Sequence, residues 1–560
     1  MTDLTKKPFN LSADQICWVE DTLNSMTQEE KIGQLFMPIG FAGDPGYLDN
    51  CLLRHKIGGV MYRNGDGAEM QETHRYLQEH SRIPLLIGSN LEYGGNGAAI
   101  EGTFFARPMQ IAATRKPEYA YWLGKVAARE GAAVGVNWAF APVVDIDRNW
   151  RNPITNNRTY GDDPDLVLEY AGNYLKAVLE EGMAASIKHF PGDGVDEVDQ
   201  HILTSVNSLS VDEWDATYGK IYQGLIQAGA PTVMVGHIAL PAYESALGGA
   251  EDRLVPASLS PQLLQGLLRE KLGFNGLIIT DSTCMVGFSC AMERRKALPY
   301  AVEAGCDMIL FNKELNEDVA FMREGVDSGI LSQRRLDEAV TRILALKAKL
   351  GLWNRPASQR VPASEALSVI GCPEHHAKAR ACVEESITLV KDTQGALPLN
   401  PEKTPKVLLE VLGDFPTSPH VLEYMEKKLR ESGFAVECYQ KENFDNADFS
   451  VGTFRASYDL VVYLANVENT SNMVTNRLSW YTFWGNGNNV PWFVKERPTI
   501  FISLANPYRL VDVPMIQTYI NCYGNSDFTL DALVERLQGQ KPFTGQSPVD
   551  PFCGKKYLQY

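Results

Sequence analysis

Residues 184–194 read Ala-Ala-Ser-Ile-Lys-His-Phe-Pro-Gly-Asp-Gly: small and apolar positions, a lysine and a histidine at the tip, then a loop in which Pro191, Gly192 and Gly194 stop any helix. This is the pattern of a short buried strand that delivers polar side chains at its C-terminal end. Seven further runs share it: Gln34–Gly40, Gly58–Arg63, Pro84–Asn90, Asn137–Asp145, Thr232–His237, Gly276–Asp281 and Cys306–Asn312. Stretches with helical spacing separate them. Eight runs are the count of a (β/α)8 barrel, and their near-continuous apolar character suits parallel strands buried on both faces. Asn90, Asp145, Lys188 with His189, His237, Asp281 and Asn312 stand at the tips of six of the eight. One polar tip can simply mark where a strand leaves the core, but six together favour a site, because the tips of a barrel line one mouth.

The 560-residue chain is long enough for more than one domain. Hydrophobic residues make up 44% and charged residues 22%, which are globular values. The charge balance, 52 − 69 = −17, repels nucleic acid and anionic membrane, so neither is an expected partner. No run of 18 apolar residues occurs, and Lys6 and Lys7 have no apolar stretch behind them, so neither a membrane span nor a signal peptide is expected. Ten cysteines without a CxxC pair read as reduced packing residues, which together point to the cytoplasm. Residues 1–350 are expected to form the barrel. Pro356 and Pro362 mark a linker over 351–372, and 373–560 reads as a second α/β unit with strand-like runs Val407–Val411, Leu460–Ala465 and Thr499–Ala505. His375 and His376, just beyond the linker, read as surface residues. The aromatic residues Trp480, Tyr481, Phe483 and Trp484 read as packing rather than as a sugar-stacking platform.

The loop after Lys188 and His189 carries Asp199 and His201. Two residues apart, the carboxylate of Asp199 can accept a hydrogen bond from one imidazole nitrogen of His201. The other nitrogen is then free to exchange a proton near neutral pH. Asp281 ends the apolar run Gly276–Thr280, where a carboxylate is a nucleophile, a ligand-binding group or the N-cap of the next helix. Arg158 could hold hydroxyl groups or pair with Asp162. No HExxH, phosphate loop or GxSxG is present, so neither a metal nor another cofactor is expected.

The ordered set Phe140–Asp145, Arg158–Pro164, Lys188–Gly192, Asp199–His201 and Leu259–Pro261 leading to Asp281 resembles glycoside hydrolase family 3, in its branch of bacterial β-N-acetylglucosaminidases. The resemblance continues through Glu384–Lys391, where the family often carries an α/β sandwich. It implies a TIM-like barrel followed by that sandwich, and a small carbohydrate substrate. It further implies Asp281 as nucleophile, His201 as general acid/base oriented by Asp199, and sugar contacts from Lys188, His189 and Arg158, with Met285 lining the pocket. The reaction implied is exo-acting hydrolysis of terminal β-linked N-acetylhexosamine, with retention through a covalent glycosyl-enzyme. Because the acid sits on a loop, the resemblance leaves it able to reach position only with substrate bound.

Two positions depart from the branch. Asn90 stands where an aspartate usually binds the distal hydroxyls, losing a charge-assisted bond of about 1.5–3 kcal/mol that the nearby Glu92 could replace. Asp193 stands where a second histidine is common. Three alternatives accompany the resemblance: a glycoside phosphorylase, since a neutral imidazole repels phosphate less than a carboxylate does; a β-glucosidase of the same family with Glu468 as acid; and a catalytically silent sugar-binding protein.

Overall fold

A computed structural model of the chain describes residues 2–40, 44–249, 254–440, 450–480 and 489–560. They form two compact units. The first comprises 1–105, 117–155 and 163–377, and the second 106–116, 156–162 and 378–560.

In the first unit each of the eight runs contains a strand: β1 Phe36–Met37, β2 Gly59–Met61, β3 Leu86–Ser89, β4 Trp138–Ala139, β5 Ala184–Phe190, β6 Thr232–Val235, β7 Leu277–Thr280 and β8 Ile309–Leu310. Every residue of these strands is buried, which is why the runs lack polar alternation. Strands β2 to β7 pair in chain order, all in parallel. Strand β8 pairs with β1, and single bridges Ile39–Met61 and Ile279–Met308 join β1 to β2 and β7 to β8. The ring of eight is therefore closed, and the unit is a TIM-like (β/α)8 barrel. Gly88 is required in β3, because a Cβ there would lie 2.6 Å from the Phe140 ring and 2.7 Å from Met37.

The short closing strands are held by side chains. Asp307, just before β8, accepts the amide of Ile278 at 2.8 Å and bonds to Arg269, Arg335 and Arg342 at 2.8, 2.7 and 3.2 Å. Removing one member of such a buried ionic cluster costs about 3–5 kcal/mol. Arg335 and Arg342 lie on the helix Gln333–Lys349, whose first turn is capped by Ser332. Residues 351–372, expected as a linker, lie within this unit. Val361 is buried, and the carbonyls of Pro362 and Ala363 accept from Arg75 and Gln71 of the helix Gly67–Glu79, so the segment is laid along that helix. His375 corrects its surface reading: it is buried, and its Nδ1 lies 2.6 Å from the equally buried Glu130.

The second unit is an open six-stranded sheet between helices, the α/β sandwich. In chain order its strands are β9 Thr388–Asp392, β10 Lys406–Leu412, β11 Ala435–Cys438, β12 Leu460–Ala465, β13 Thr499–Ser503 and β14 Thr518–Asn521. Their spatial order is β9-β14-β13-β12-β10-β11, and only the β9 edge is antiparallel. Alternate residues feed two cores: Leu460, Val462 and Leu464 join one, Val461, Tyr463 and Ala465 the other. Trp480 packs edge-on against Tyr463; Tyr481, Phe483 and Trp484 lie outside the described residues. No helix among the described residues is long and apolar enough to cross a membrane.

Glu410 interrupts the apolar pattern of β10. It is buried, and its Oε1 accepts from Asn489 at 2.5 Å. Burial pushes its carboxyl up to about 8 from the ordinary 4.5. The folded chain then holds this proton more tightly than the unfolded one, so stability falls as pH rises from about 4.5 to about 8, by on the order of 5 kcal/mol. Glu410→Gln is expected to remove that slope from thermal melts of the full chain; an unchanged slope would show that Glu410 does not cause it.

Candidate active site

Asp281 directly follows β7. Its amide donates to the carbonyl of Val235 at 2.8 Å, and its Oδ1 accepts the amide of Ser282 at 2.7 Å. The next helix, Val286–Ser289, has Met285 at its N-cap with no side-chain cap bond. The N-cap reading of Asp281 therefore fails. Burial pushes the Asp281 carboxyl up, but the imidazoles of His189 and His201 and the Ser282 amide outweigh it, leaving the group below its ordinary range. At neutral pH it is an ionised acceptor.

Neighbouring residues of a regular strand point to opposite faces. Between Lys188 and Phe190 the register of β5 against β6 shifts by one residue, which lifts that constraint, and both polar residues at the tip engage the mouth. Lys188 Nζ pairs with Glu92 Oε1 at 2.7 Å, both buried, and lies 3.5 Å from Asn90 Oδ1, on an exposed residue. His189 donates from its amide and from Nδ1 to the two oxygens of Asp145, at 3.1 and 2.7 Å. Its Nε2 is 3.9 Å from Asp281 Oδ2, beyond hydrogen-bond reach.

Asp199 Oδ1 accepts both the His201 amide, at 2.9 Å, and His201 Nδ1–H, at 2.6 Å. The carboxylate fixes the tautomer, so Nε2 is the nitrogen left to exchange a proton. The Asp199 side chain is fully buried, whereas that of His201 is 21% exposed, as a group that must meet a ligand requires. This loop is already fastened to the segment after Asp281: the amides of Val286 and Gly287 donate to the carbonyls of His201 and Gln200, both at 3.1 Å, and Thr204 Oγ1 donates to the carbonyl of Gly287.

Sequence reasoning placed His237 at a strand tip but gave it no task. In the structure it is buried, and Nε2–H donates to the Ser282 carbonyl at 2.9 Å, so Nδ1 accepts from Ser258 Oγ, also at 2.9 Å. Burial lowers its pKa, and the neutral ring holds the turn that carries Asp281. Asp145 and Glu92 likewise acquire partners that only folding reveals. Met285, nearly buried, sits four residues past Asp281 and donates its amide to the Ser282 carbonyl. Arg158 closes the short turn Asn156–Arg158, which belongs to the second unit. Among the described residues no group of three or more His, Cys, Asp or Glu is arranged to hold a metal ion.

A strand-end carboxylate, an oriented imidazole and a buried lysine stand at one barrel mouth. Residues 27–346 match the glycosyl hydrolase family 3 N-terminal domain. A Cellulomonas fimi protein named beta-N-acetylglucosaminidase/beta-glucosidase is 45% identical over 99% of both chains. The solved structure of a beta-glucoside phosphorylase, BglX, is 42% identical, covers 99% of both chains and superposes with a TM-score of 0.94. A family 3 beta-N-acetylglucosaminidase from Paenibacillus sp. str. FPU-7, at 24% identity, shares the fold with a TM-score of 0.79 over 94% of this chain and 99% of its own. A domain match over more than half of the residues, joined to a relative alike from end to end, places the chain in glycosyl hydrolase family 3, as a glycosidase of that family.

Proposed function

We propose that the protein is a retaining, exo-acting β-glycosidase that removes terminal β-linked N-acetylglucosamine and glucose. Asp281 attacks the anomeric carbon while His201 gives its Nε2 proton to the departing oxygen. The bond to the aglycone breaks, a glycosyl ester forms on Asp281, and His201 then takes the proton of the acceptor that cleaves the ester. Asp199 keeps His201 in the required tautomer. Lys188 and His189 donate to sugar hydroxyls, with Asn90 as a further contact and Met285 against the ring.

The observation that carries this reading is the fastening of the His201 loop onto the turn that bears Asp281. The rival acid, Glu468, is poorly suited. Its oxygens already accept from Arg107 at 2.6 Å, Asn525 at 2.8 Å and Thr417 at 3.2 Å, the setting of an acceptor rather than a proton donor. The ten free cysteines support an intracellular site of action.

A second reading, transfer of the sugar to phosphate instead of water, is favoured by the identity of the base. After the first step His201 is neutral. A carboxylate in its place would repel an incoming phosphate by about 4 kcal/mol per unit charge at 4 Å and an effective dielectric of 20. The likeness to a beta-glucoside phosphorylase supports the same reading. Incubating the enzyme with aryl β-N-acetylglucosaminide or β-glucoside, with and without phosphate, separates the two. Free sugar in both mixtures is the result for a hydrolase, and sugar 1-phosphate formed only with phosphate is the result for a phosphorylase.

A further inference from the structure

Two exposed apolar side chains border the proposed acid. Among the described residues of the first unit, the large apolar side chains open to solvent are Leu53, Ile100, Leu203, Leu247, Leu254 and Val286. One such residue alone needs no explanation on a protein surface. Leu203 and Val286, 50% and 44% exposed, differ because the fold brings them to one place, the joint between the His201 loop and the turn after Asp281.

That joint is tight. The amide of Val286 donates to the His201 carbonyl, and the amide of Gly287 to the Gln200 carbonyl, both at 3.1 Å. A Cβ at position 287 would lie 2.5 Å from the Gln200 carbonyl oxygen and 3.0 Å from that of Leu203, so a glycine is what lets the two segments close up. Beyond Leu203, the pair Ser205–Val206 runs parallel to Ile238–Ala239, which follows the tip of β6. Leu203 and Val286 therefore sit on fastened backbone. Their neighbours Thr204 and Met285 are buried, and they are not.

The chemistry of the site says what meets them. To protonate the departing oxygen, His201 Nε2 must come within about 3 Å of it. The group carried by that oxygen then lies on the His201 side of the breaking bond and leaves the mouth past the residues that border His201. A second sugar there would call for hydrogen-bonding partners or a flat aromatic face. Leu203 and Val286 supply neither, since both are branched aliphatic side chains without a polar atom. They offer apolar surface, which rewards an apolar group in proportion to the area covered.

We propose that Leu203 and Val286 are specificity-determining residues that seat the aglycone, and that the preferred substrates are β-glycosides of apolar alcohols or phenols rather than oligosaccharides. The inference rests on the glycosidase reading with His201 as the acid.

The test compares methyl and n-octyl β-glucoside, with phosphate present so that either acceptor is available. The two alkoxides leave with similar difficulty, so the ratio of their kcat/KM values cancels the acid step and reads contact with the alkyl chain. The parent is expected to favour octyl glucoside by at least ~tenfold and to cleave cellobiose more slowly than octyl glucoside. In a Leu203→Asn, Val286→Thr double variant the ratio should fall to within ~threefold of one. Both positions are exposed and both replacements are close in size, so the fold should be kept. A ratio near one in the parent, or one that survives in the double variant, overturns the proposal and leaves the glycosidase reading standing. A parent that cleaves neither aryl nor alkyl glycosides removes that reading and this inference with it.

Should the parent cleave aryl but not alkyl glucosides, the same comparison is read from competitive inhibition by methyl and octyl 1-thio-β-glucosides, whose sulfur link resists cleavage. The octyl compound should bind the parent at least ~tenfold more tightly and lose that advantage in the double variant. Equal inhibition constants in the parent overturn the apolar seat.

Discussion

Asp281→Ala is expected to lower kcat/KM for aryl β-glycosides by at least ~10⁴-fold, with the fold retained. The size of the loss follows from the lack of a substitute. Asp145, the carboxylate nearest to His189, already accepts three N–H groups, and Asp199 is committed to His201. The fold should survive because, among the described residues, the side-chain hydrogen bond of Asp281 runs to the adjacent amide rather than to another element. Azide, small enough to enter the space left by the side chain, should restore part of the activity and yield a glycosyl azide of inverted configuration. In the parent, a 2-fluoro sugar should become attached to the peptide containing residue 281. A variant within tenfold of the parent, or a label on another peptide, would falsify the nucleophile assignment.

The second large effect depends on the substrate. His201→Ala should cost about 10²–10⁴-fold for glycosides with poor leaving groups, because alkoxides depart only with a proton. For 2,4-dinitrophenyl glycosides the bond-breaking step should change by less than ~tenfold, since that leaving group needs no proton. Asp199→Asn should follow the same order at a smaller size: the amide can still accept from Nδ1–H, but it no longer stabilises the imidazolium. Equal losses on both substrate classes would mean that His201 binds or packs rather than transfers a proton. The contrast can be measured with one series of aryl glycosides of graded leaving-group acidity, as the slope of log kcat/KM against that acidity.

The rhythm of eight apolar runs specified the barrel because parallel strands buried on both faces are apolar along most of their length, so the pattern survives any detail of packing. Strands β9, β11 and β14 of the second unit were not read. They lie at or near the sheet edges, and Thr388–Asp392 and Ala435–Cys438 carry polar residues on half-exposed faces, which blurs their signal. The buried pair of His375 and Glu130 was missed for a related reason. Nothing local separates a solvated histidine from one that finds a carboxylate 245 residues away in sequence.

Asp281 at a strand end and the spacing of Asp199 and His201 were legible because each is a local feature: one is the end of a hydrophobic run, the other a two-residue reach. The sequence by itself thus determined the barrel, its polar mouth and the chemical types of the groups there. Only the tertiary structure decided their partners. It set Glu92 on Lys188, Asp145 on His189 and the Ser282 carbonyl on His237, and it turned Asp281 away from capping the next helix. Hydrogen bonds act over about 3 Å, and which groups come that close is settled by strand register and loop path, which the order of residues does not display.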